Sequence, residues 1–268
     1  MERKQPVLFL SHGAGPFPIT GARGHETLQE YFKNIEGEVQ TKPSAIIIVS
    51  AHWETTSQVS ISCGSDQGLM FDYSNFPPET YTYEYKPPVP DETLLEEIAR
   101  DFDVPHIQNR GFDHGVFVPL LLAFPNADIP VIQLSMLSNM DPSTHLDIGA
   151  KLEKYRDEDG ANCLIVGSGM TFHNFGRADP GAAVAFDGFL SQAVTGLAGS
   201  ARRAALAGWE RAPGARAAHA REEHLMPLLV AAGAAGGDAG RTTWREEGFL
   251  GGYPVACYRF GGAAGGAA

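Results

Sequence analysis

Cysteine is scarce in this 268-residue chain, which holds only Cys63, Cys163 and Cys257. The number is odd, the three are far apart, and none of the paired spacings typical of zinc sites occurs. A disulfide framework and a cysteine-rich zinc site are therefore excluded. Two of the cysteines lie in apolar, strand-like runs. We expect all three to be buried, reduced thiols in a reducing compartment.

Positive charge is also in short supply. Lysine and arginine number 20 against 32 aspartates and glutamates, a formal net charge of -12. No cluster of basic residues stands out against this acidic background. Binding to a nucleic-acid backbone needs such a cluster, so we expect no nucleic-acid partner.

Long apolar runs are missing as well. No run approaches the length of a membrane span, and the charged start at residues 1–6 leads into only four apolar residues, too few for the core of a signal peptide. We therefore expect a cytoplasmic protein without a membrane partner. No repeat of solenoid length is evident either.

Short apolar runs are present, and they alternate with helical patterns. With 43% hydrophobic residues, the chain can bury a substantial core. Helices are predicted over residues 91–102 and after Asp141, which would cap a helix that starts at Pro142. The alternation predicts an α/β fold, a single domain with a central, mostly parallel sheet flanked by helices. The predicted strands are residues 6–10, 45–50, 59–63, 129–134, 163–167 and 255–260.

Domain organisation follows from the same pattern. We expect one catalytic domain over residues 1–260, within which the composition drifts towards alanine and glycine from about residue 182. Residues 261–268 contain only glycine and alanine and have nothing to bury, so they are predicted to be a flexible tail.

Two histidines leave the predicted sheet at similar places. His12 follows the strand at residues 6–10, and His52 follows the strand at residues 45–50. Side chains just past the carboxyl ends of strands meet in one crevice, and imidazole is the commonest side-chain ligand of transition metals. The sequence therefore predicts a metal site at the carboxyl ends of the strands.

Three more histidines stand at boundaries between elements. His173 follows the fifth predicted strand through a Gly-Ser-Gly turn, so it can return to the same edge of the sheet. His114 and His224 precede predicted helix starts at Pro119 and Pro227. A helix N-terminus carries partial positive charge, which disfavours imidazolium and suits an anionic ligand.

The remaining histidines lack such a context. His25, His106 and His145 are assigned to the surface, and His219 to a loop. Four aromatic residues beside the histidines are open to two interpretations, core packing or an aromatic substrate pocket, with core packing favoured for Phe117: Trp53, Phe112, Phe117 and Phe172.

A tyrosine- and proline-rich stretch at residues 71–90 is predicted to be an ordered loop that can cover a pocket. The groups that would recognise a substrate are not marked by any motif. Arg110, Arg177 and Tyr73 are unranked candidates for substrate contacts.

Five motifs in order along the chain carry a family resemblance. The motifs are Ser11-His12-Gly13, Ser50-Ala51-His52-Trp53, Gly111-Phe112-Asp113-His114-Gly115, His173-Asn174 and Glu223-His224-Leu225-Met226-Pro227-Leu228. Together, from Leu10 to about Gly233, they resemble the LigB-type (class III) extradiol ring-cleavage dioxygenases, in particular the DOPA 4,5-dioxygenase branch.

The resemblance implies a role for each histidine. It implies a metal held by His12, His52 and His224, with His173 as the catalytic acid/base and His114 lining the substrate site. It further implies non-haem Fe(II), O2 and a catechol such as L-DOPA, with a muconic semialdehyde-type product. Zn(II) can occupy such a site in a purified sample because it binds nitrogen ligands more tightly than Fe(II).

Glu223 is the second candidate for the third ligand position. Other LigB enzymes use two histidines and a carboxylate, whereas this branch aligns a histidine there. Adjacent residues in a helical turn point about 100° apart, so we expect only one of Glu223 and His224 to reach the metal. We choose His224 and keep Glu223 as a supporting carboxylate behind the ligands or as the substitute ligand.

Two other functions remain open. Three histidines with an open fourth position also describe a hydrolytic zinc site, for which Glu222 or Glu223 would be the base. A non-catalytic binding protein on the same fold, like the Memo proteins, is the third possibility. His173 and His114, beyond the three ligands, favour acid/base chemistry over binding alone.

Overall fold

The computed structural model describes residues 4–39, 41–63, 68–104, 108–176 and 179–262. A seven-stranded sheet runs through them. Its strands are β1 (Val7–Ser11), β2 (Ala45–Thr55), β3 (Ile61–Ser62), β4 (Val131–Leu137), β5 (Cys163–Gly169), β6 (Gly240–Gly248) and β7 (Tyr253–Phe260).

The strand order is β3-β4-β2-β5-β1-β7-β6. The four middle strands, β4, β2, β5 and β1, pair in parallel, whereas β3, β7 and β6 pair antiparallel at the two edges. Val7 and Ile47 both lie opposite Ile165, so the three central strands are in close register. The predicted α/β fold with a mostly parallel sheet is confirmed.

The core lies on both faces of this sheet. All five residues of β1 and all seven of β5 are buried, as continuous apolar runs predict for strands covered on both sides. The covering helices are α1 (Phe17–Thr20), α2 (Glu26–Lys33), α3 (Glu92–Asp101), α4 (His114–Ala123), α5 (Pro142–Leu152), α6 (Pro180–Thr195), α7 (Gly199–Ala207), α8 (Ala215–Ala218) and α9 (Met226–Ala234).

The two predicted helices are confirmed as α3 and α5, and the predicted cap of α5 by Asp141 is present. The Asp91 carboxylate accepts a hydrogen bond from the backbone N–H of Leu94 at 3.0 Å, at the start of α3. Asp141 accepts one from Thr144 at 2.7 Å, with Pro142 as the first residue of α5. Each carboxylate satisfies an N–H that the first helical turn leaves unpaired.

Three local predictions are wrong. The strand at residues 59–63 is reduced to the two residues of β3. Strand β6 is missing from the prediction, because this half-exposed, charged edge strand has no apolar run. The segment Gly167 to Gly169 is the end of β5 and not a turn. Helix α4 begins at His114 and not at Pro119, which lies inside it.

Three further predictions concern the cysteines, membrane spans and the C-terminal tail. All three cysteines are buried, reduced thiols and not disulfides in the described part of the chain, as predicted. Within the described residues, no helix is long and apolar enough to cross a membrane. Most of the glycine- and alanine-only tail, residues 263–268, lies outside the described residues. The division into a catalytic domain and a flexible tail stays a prediction.

Candidate active site

Five histidines meet where β1, β2 and β5 end. His12 directly follows β1, His52 lies in the last part of β2, and His114 is the first residue of α4. The ring centroid of His12 is 5.0 Å from that of His52, 5.2 Å from that of His114 and 5.3 Å from that of His224. His173 stacks on His224 with centroids 3.4 Å apart. The structure thus brings together every histidine predicted to form the site.

His12 is completely buried, and each of its ring nitrogens has a close polar neighbour. Nδ1 lies 3.0 Å from Oγ of Ser168 on β5, and Nε2 lies 3.2 Å from Nε2 of His52. Burial, followed by the neighbouring histidines, lowers the pKa of His12 well below its usual value. His12 is therefore a neutral imidazole with one nitrogen towards the cluster, which is the state a metal ligand needs.

His52 is positioned through its backbone. The guanidinium of Arg110 donates to the His52 carbonyl at 3.1 Å and to the Asp113 carboxylate at 2.7 Å. Asp113 also accepts a hydrogen bond from Ser50, two residues before His52, at 2.7 Å. Burial, with the neighbouring His114 next in size, lowers the pKa of His52 to about 4.

Close backbone packing brings His224 to the end of β5. The N–H of Met170 donates to the His224 carbonyl at 2.9 Å. A Cβ on Gly169 would stand 2.1 Å from that carbonyl oxygen, and one on Gly167 would stand 2.2 Å from the Pro227 carbonyl. Only glycine permits such an approach. The Gly-Ser-Gly sequence therefore makes room for the segment that carries His224.

Glu223 lies behind His224. Its Oε1 accepts a hydrogen bond from Nδ1 of His224 at 2.9 Å and lies 3.4 Å from Nδ1 of His173. Burial alone would raise the pKa of Glu223, but the contacts with His173 and His224 outweigh it and lower the pKa. Burial lowers the pKa of His224 well below its usual value. An ionised carboxylate thus faces Nδ1 of a neutral histidine.

His114 has a carboxylate partner of its own. Oδ1 of Asp72 accepts hydrogen bonds from Nδ1 of His114 at 2.8 Å and from its backbone N–H at 3.0 Å. Burial alone would raise the pKa of Asp72, but the hydrogen bond and charge interaction with His114 lower it to about 2.

The donor set fits a divalent transition metal. Nitrogens about 2.1 Å from one ion, at angles between square and tetrahedral, lie about 3.0 to 3.4 Å apart. The His12 and His52 Nε2 atoms, 3.2 Å apart, fall in that range. Among the described residues, two groups of three side chains have ligand atoms that all lie within 4.8 Å of one another: one is His12, His52 and His114, and the other is His173, Glu223 and His224. The predicted third ligand, His224, is therefore grouped apart from His12 and His52. The site is thus histidine-rich and can hold a metal ion.

Two of the predicted surface histidines are buried instead. His25 and His145 are both 0% exposed, and each has hydrogen-bond partners at both ring nitrogens. Nε2 of His25 accepts from the Ala14 N–H at 3.1 Å, and Nε2 of His145 accepts from the Leu137 N–H at 3.2 Å. Folding creates these backbone partners, so they leave no signal in the sequence. His219 is also fully buried, directly after α8, and His106 lies outside the described residues.

The candidate substrate contacts have other partners. Arg110 binds Asp113 and the His52 carbonyl and stacks over Trp53 at 5.2 Å, so its guanidinium supports the site from behind. The Tyr73 hydroxyl donates to the Thr80 carbonyl at 2.6 Å. Arg177 lies outside the described residues. Trp53, Phe112, Phe117 and Phe172 are all buried, which favours core packing for the four.

The tyrosine- and proline-rich loop is ordered beside the site. Apart from one turn of 3-10 helix at Pro78–Tyr81, it has no regular structure, yet its aromatic rings pack on one another. The Tyr73 ring centroid lies 6.1 Å from that of His114. The loop therefore forms part of the wall of the histidine cluster.

Sequence reasoning missed Asp72 and Ser168 as supporting residues. Asp72 contacts His114 across 42 residues, and Ser168 contacts His12 across 156. Neither pair has a spacing that a motif could record. Only the fold brings these partners together.

Comparisons with known proteins agree with this geometry. Residues 6–261 match the family described as the catalytic LigB subunit of aromatic ring-opening dioxygenase. A dioxygenase, tasH, from Hapsidospora irregularis is 36% identical over 96% of this chain and 86% of its own length. A 4,5-DOPA dioxygenase extradiol from Beta vulgaris is 34% identical over 86% of this chain and 87% of its own length.

The fold has a counterpart among solved structures. The crystal structure of an uncharacterized protein from Escherichia coli K12 superimposes with a TM-score of 0.76 and 23% identity, covering 96% of this chain and all of that one. The family match over nearly the whole chain, together with relatives above 30% identity, goes beyond likeness of fold. With its histidine cluster at the strand ends, this chain belongs to the LigB family and is an extradiol ring-opening dioxygenase.

Proposed function

We propose that the chain cleaves a catechol with O2, using Fe(II) held by His12, His52 and His224. The observation that carries this proposal is the convergence of five histidines at the ends of β1, β2 and β5. The three proposed ligands have lowered pKa values and are neutral near pH 7. The other two histidines, His114 and His173, are then left for the substrate.

Fe(II), when bound, would supply a path for electrons from a chelated catecholate to O2. Neutral imidazoles leave the charge of the dication uncompensated, which favours a catecholate as its partner. The two chelating oxygens of the catecholate carry the negative charge that remains when the hydroxyl protons leave. A ring C–C bond beside a hydroxyl-bearing carbon would break, and both atoms of O2 would end in a muconic semialdehyde-type product.

His173 is proposed as the acid/base residue. Its side chain is 37% exposed, more open than that of His224, on which it stacks. Nδ1 faces Glu223 at 3.4 Å, so the proton that is exchanged with substrate belongs on Nε2. There it would take up a catechol proton on binding and return it during ring opening.

The substrate is proposed to be L-DOPA or a related catechol. The support is the name of the Beta vulgaris relative, a 4,5-DOPA dioxygenase extradiol. With L-DOPA, cleavage at the 4,5 bond would give a product that cyclises to betalamic acid. The comparisons favour neither the zinc hydrolase nor the non-catalytic binding protein, since these relatives are named as dioxygenases.

Anaerobic reconstitution tests the proposal. The full chain is loaded with Fe(II) without oxygen, mixed with a panel of catechols that includes L-DOPA, and then exposed to O2. We expect a yellow product, with one O2 consumed for each catechol lost. Mass spectrometry identifies the product and separates 4,5 from 2,3 cleavage.

Two controls test whether oxygen uptake requires Fe(II). The metal-free and the Zn(II)-loaded proteins should consume no oxygen with the same catechols. Absence of oxygen uptake with every catechol, together with Zn(II)-dependent ester or amide hydrolysis, would overturn the proposal in favour of a hydrolase.

A further inference from the structure

Asp72 is a carboxylate at the site that no motif identified. One oxygen, Oδ1, accepts two hydrogen bonds from the same residue, from Nδ1 and from the backbone N–H of His114. The other, Oδ2, lies 3.8 Å from Nδ1 of His52. Among the described residues, the ion-pair contacts of Asp72 are with these two histidines alone.

Backbone pairing fixes the position of Asp72. The Met70 N–H donates to the Phe112 carbonyl at 2.7 Å, and the Asp72 N–H donates to the Met70 carbonyl at 2.9 Å. Through Met70, these hydrogen bonds fix Asp72 next to Phe112, which precedes His114 by two residues. On either side of it, the rings of Phe71 and Tyr73 pack against Phe117 of α4.

The chemistry of this contact is one-directional. An ionised carboxylate accepts hydrogen bonds and cannot donate one, so Nδ1 of His114 must carry a proton. In the neutral ring, Nε2 of His114 is then the nitrogen without a proton. The double contact also fixes the rotation of the ring, because backbone and side chain are bound to the same oxygen atom.

We propose that Asp72 is a positioning residue that holds His114 with Nδ1 protonated, so that Nε2 is presented to substrate. This inference rests on the proposed ring-opening function and names a residue for it. Carboxylates that orient a working histidine from behind typically change activity or affinity by about 10- to 100-fold when they are removed.

A purely structural role competes with this one. By accepting the backbone N–H of His114, Asp72 also caps α4, whose own N-cap residue Asp113 makes no side-chain cap bond. Loss of a cap lowers stability without altering chemistry. Asp141, which caps α5 through its side chain, is the matched control.

Kinetics of Asp72→Asn separate the two roles. The amide oxygen can still accept the backbone N–H, but the charge that fixes the Nδ1 proton is gone. We expect kcat to fall by about tenfold or more, with KM and metal content little changed. Asp141→Ala should lower the unfolding midpoint and leave kcat as in the unchanged protein.

A double-mutant cycle shows whether the effect passes through His114. In a His114→Ala background, Asp72→Asn should cost less than twofold in kcat, since the residue it positions is absent. An equal loss of kcat in both backgrounds would overturn the proposal. So would an unchanged kcat in Asp72→Asn.

A spectroscopic test does not depend on turnover. Long-range proton–nitrogen correlation spectra of protein with ¹⁵N-labelled histidine report which ring nitrogen is protonated, and the His114→Gln variant assigns the signal. We expect the Nδ1-protonated form, and a mixture of forms in Asp72→Asn. An Nε2-protonated neutral ring in the unchanged protein would refute the positioning role. If no catechol is turned over but the Nδ1 form is seen, the proposed function fails and the arrangement of Asp72 stands.

Discussion

The hydroxyl of Ser168 accepts a hydrogen bond from Nδ1 of His12, because its own proton is donated to a backbone carbonyl of α4. Pro119 has no N–H to donate to the carbonyl of Gly115, four residues before it in α4. Ser168 donates its only hydroxyl proton to that carbonyl. Its oxygen must therefore accept from His12, 3.0 Å away, which leaves Nε2 of His12 without a proton and free to bind a metal.

Ser168→Ala tests this relay. Without the hydroxyl, the His12 ring loses the partner that selects its tautomer, and we expect metal affinity to fall by about 10- to 100-fold. Competition titration of Zn(II) against a chelator measures the change.

Ser135→Ala is the matched control, because it removes a buried strand hydroxyl that binds Thr55 and Ser60 instead of a histidine. It should leave metal affinity unchanged. Equal affinities for the two variants would contradict the relay.

The ligand set makes a graded prediction. His224→Ala should lose stoichiometric metal, as should His12→Ala and His52→Ala. His114→Ala should retain it. His173→Ala should keep metal and substrate binding but lose turnover by about 100-fold or more, as expected for a general acid/base.

Metal analysis after gel filtration, paired with oxygen uptake, measures both properties. His114 is the informative comparison, because its ligand atom groups with those of His12 and His52, whereas that of His224 groups with those of His173 and Glu223. Loss of metal from His114→Ala with retention in His224→Ala would move the third ligand to His114. Loss of metal from His173→Ala would show that its assigned role is wrong.

Glu223 and its neighbour Glu222 form a natural pair for mutation. Glu223 accepts from Nδ1 of His224, whereas Glu222 pairs with Arg216 at 2.6 Å. We expect Glu223→Gln to weaken metal binding by about tenfold and Glu222→Gln to leave it unchanged. If Glu223 were a ligand itself, Glu223→Gln would lose metal as completely as His224→Ala. Dissociation constants for Zn(II) decide between the two.

Gly169 gives a prediction about packing. A Cβ there would stand 2.1 Å from the His224 carbonyl, so Gly169→Ala must push the His224 segment off β5. We expect a loss of about 1 to 3 kcal/mol in unfolding free energy, together with weaker metal binding. Gly188→Ala lies at an exposed position of α6, where no atom of the described part of the chain is within 4 Å of the new methyl group, and should be neutral or stabilising. Chemical denaturation and metal titration of both variants measure these effects.

The sequence predicts best where a local pattern and the fold agree. Apolar runs that end in His12 and His52 mark both the strands and the edge where they meet, and aspartate followed by proline marks the start of α5. Long-range partners carry no such mark. Asp72 lies in a loop whose composition indicates only order, and its role depends on the pairing of Met70 with Phe112.

The burial of His25 and His145 also depends on partners that the sequence does not reveal. In the sequence, His25 and His145 lack the context shared by the site histidines, which favours the surface. Their burial depends on backbone N–H and carbonyl groups that face each ring only after folding. A polar side chain can be buried when each of its polar atoms finds a partner, and sequence patterns do not record those partners.

His219 makes stability depend on pH in a defined direction. Its Nε2 lies 3.0 Å from the Thr171 carbonyl, while Nδ1 is buried and finds no hydrogen-bond partner among the described residues. Burial lowers its pKa from 6.5 to about 4. The unfolded chain therefore takes up a proton as pH falls below 6.5, and the folded chain does not until about pH 4. The contribution of this residue to the free energy of unfolding is complete above pH 6.5. It decreases by about 1.4 kcal/mol per pH unit as the pH falls from 6.5 to about 4.

His219→Gln isolates this contribution, because the amide can still donate to Thr171 and does not titrate. The unfolding free energy of the metal-free protein, measured in urea at several pH values from neutral to mildly acidic, should fall more steeply for the unchanged chain than for the variant. The difference between the two should be constant above pH 6.5 and shrink below it. A difference that stays constant into the acidic range would mean that His219 is not held neutral by the fold.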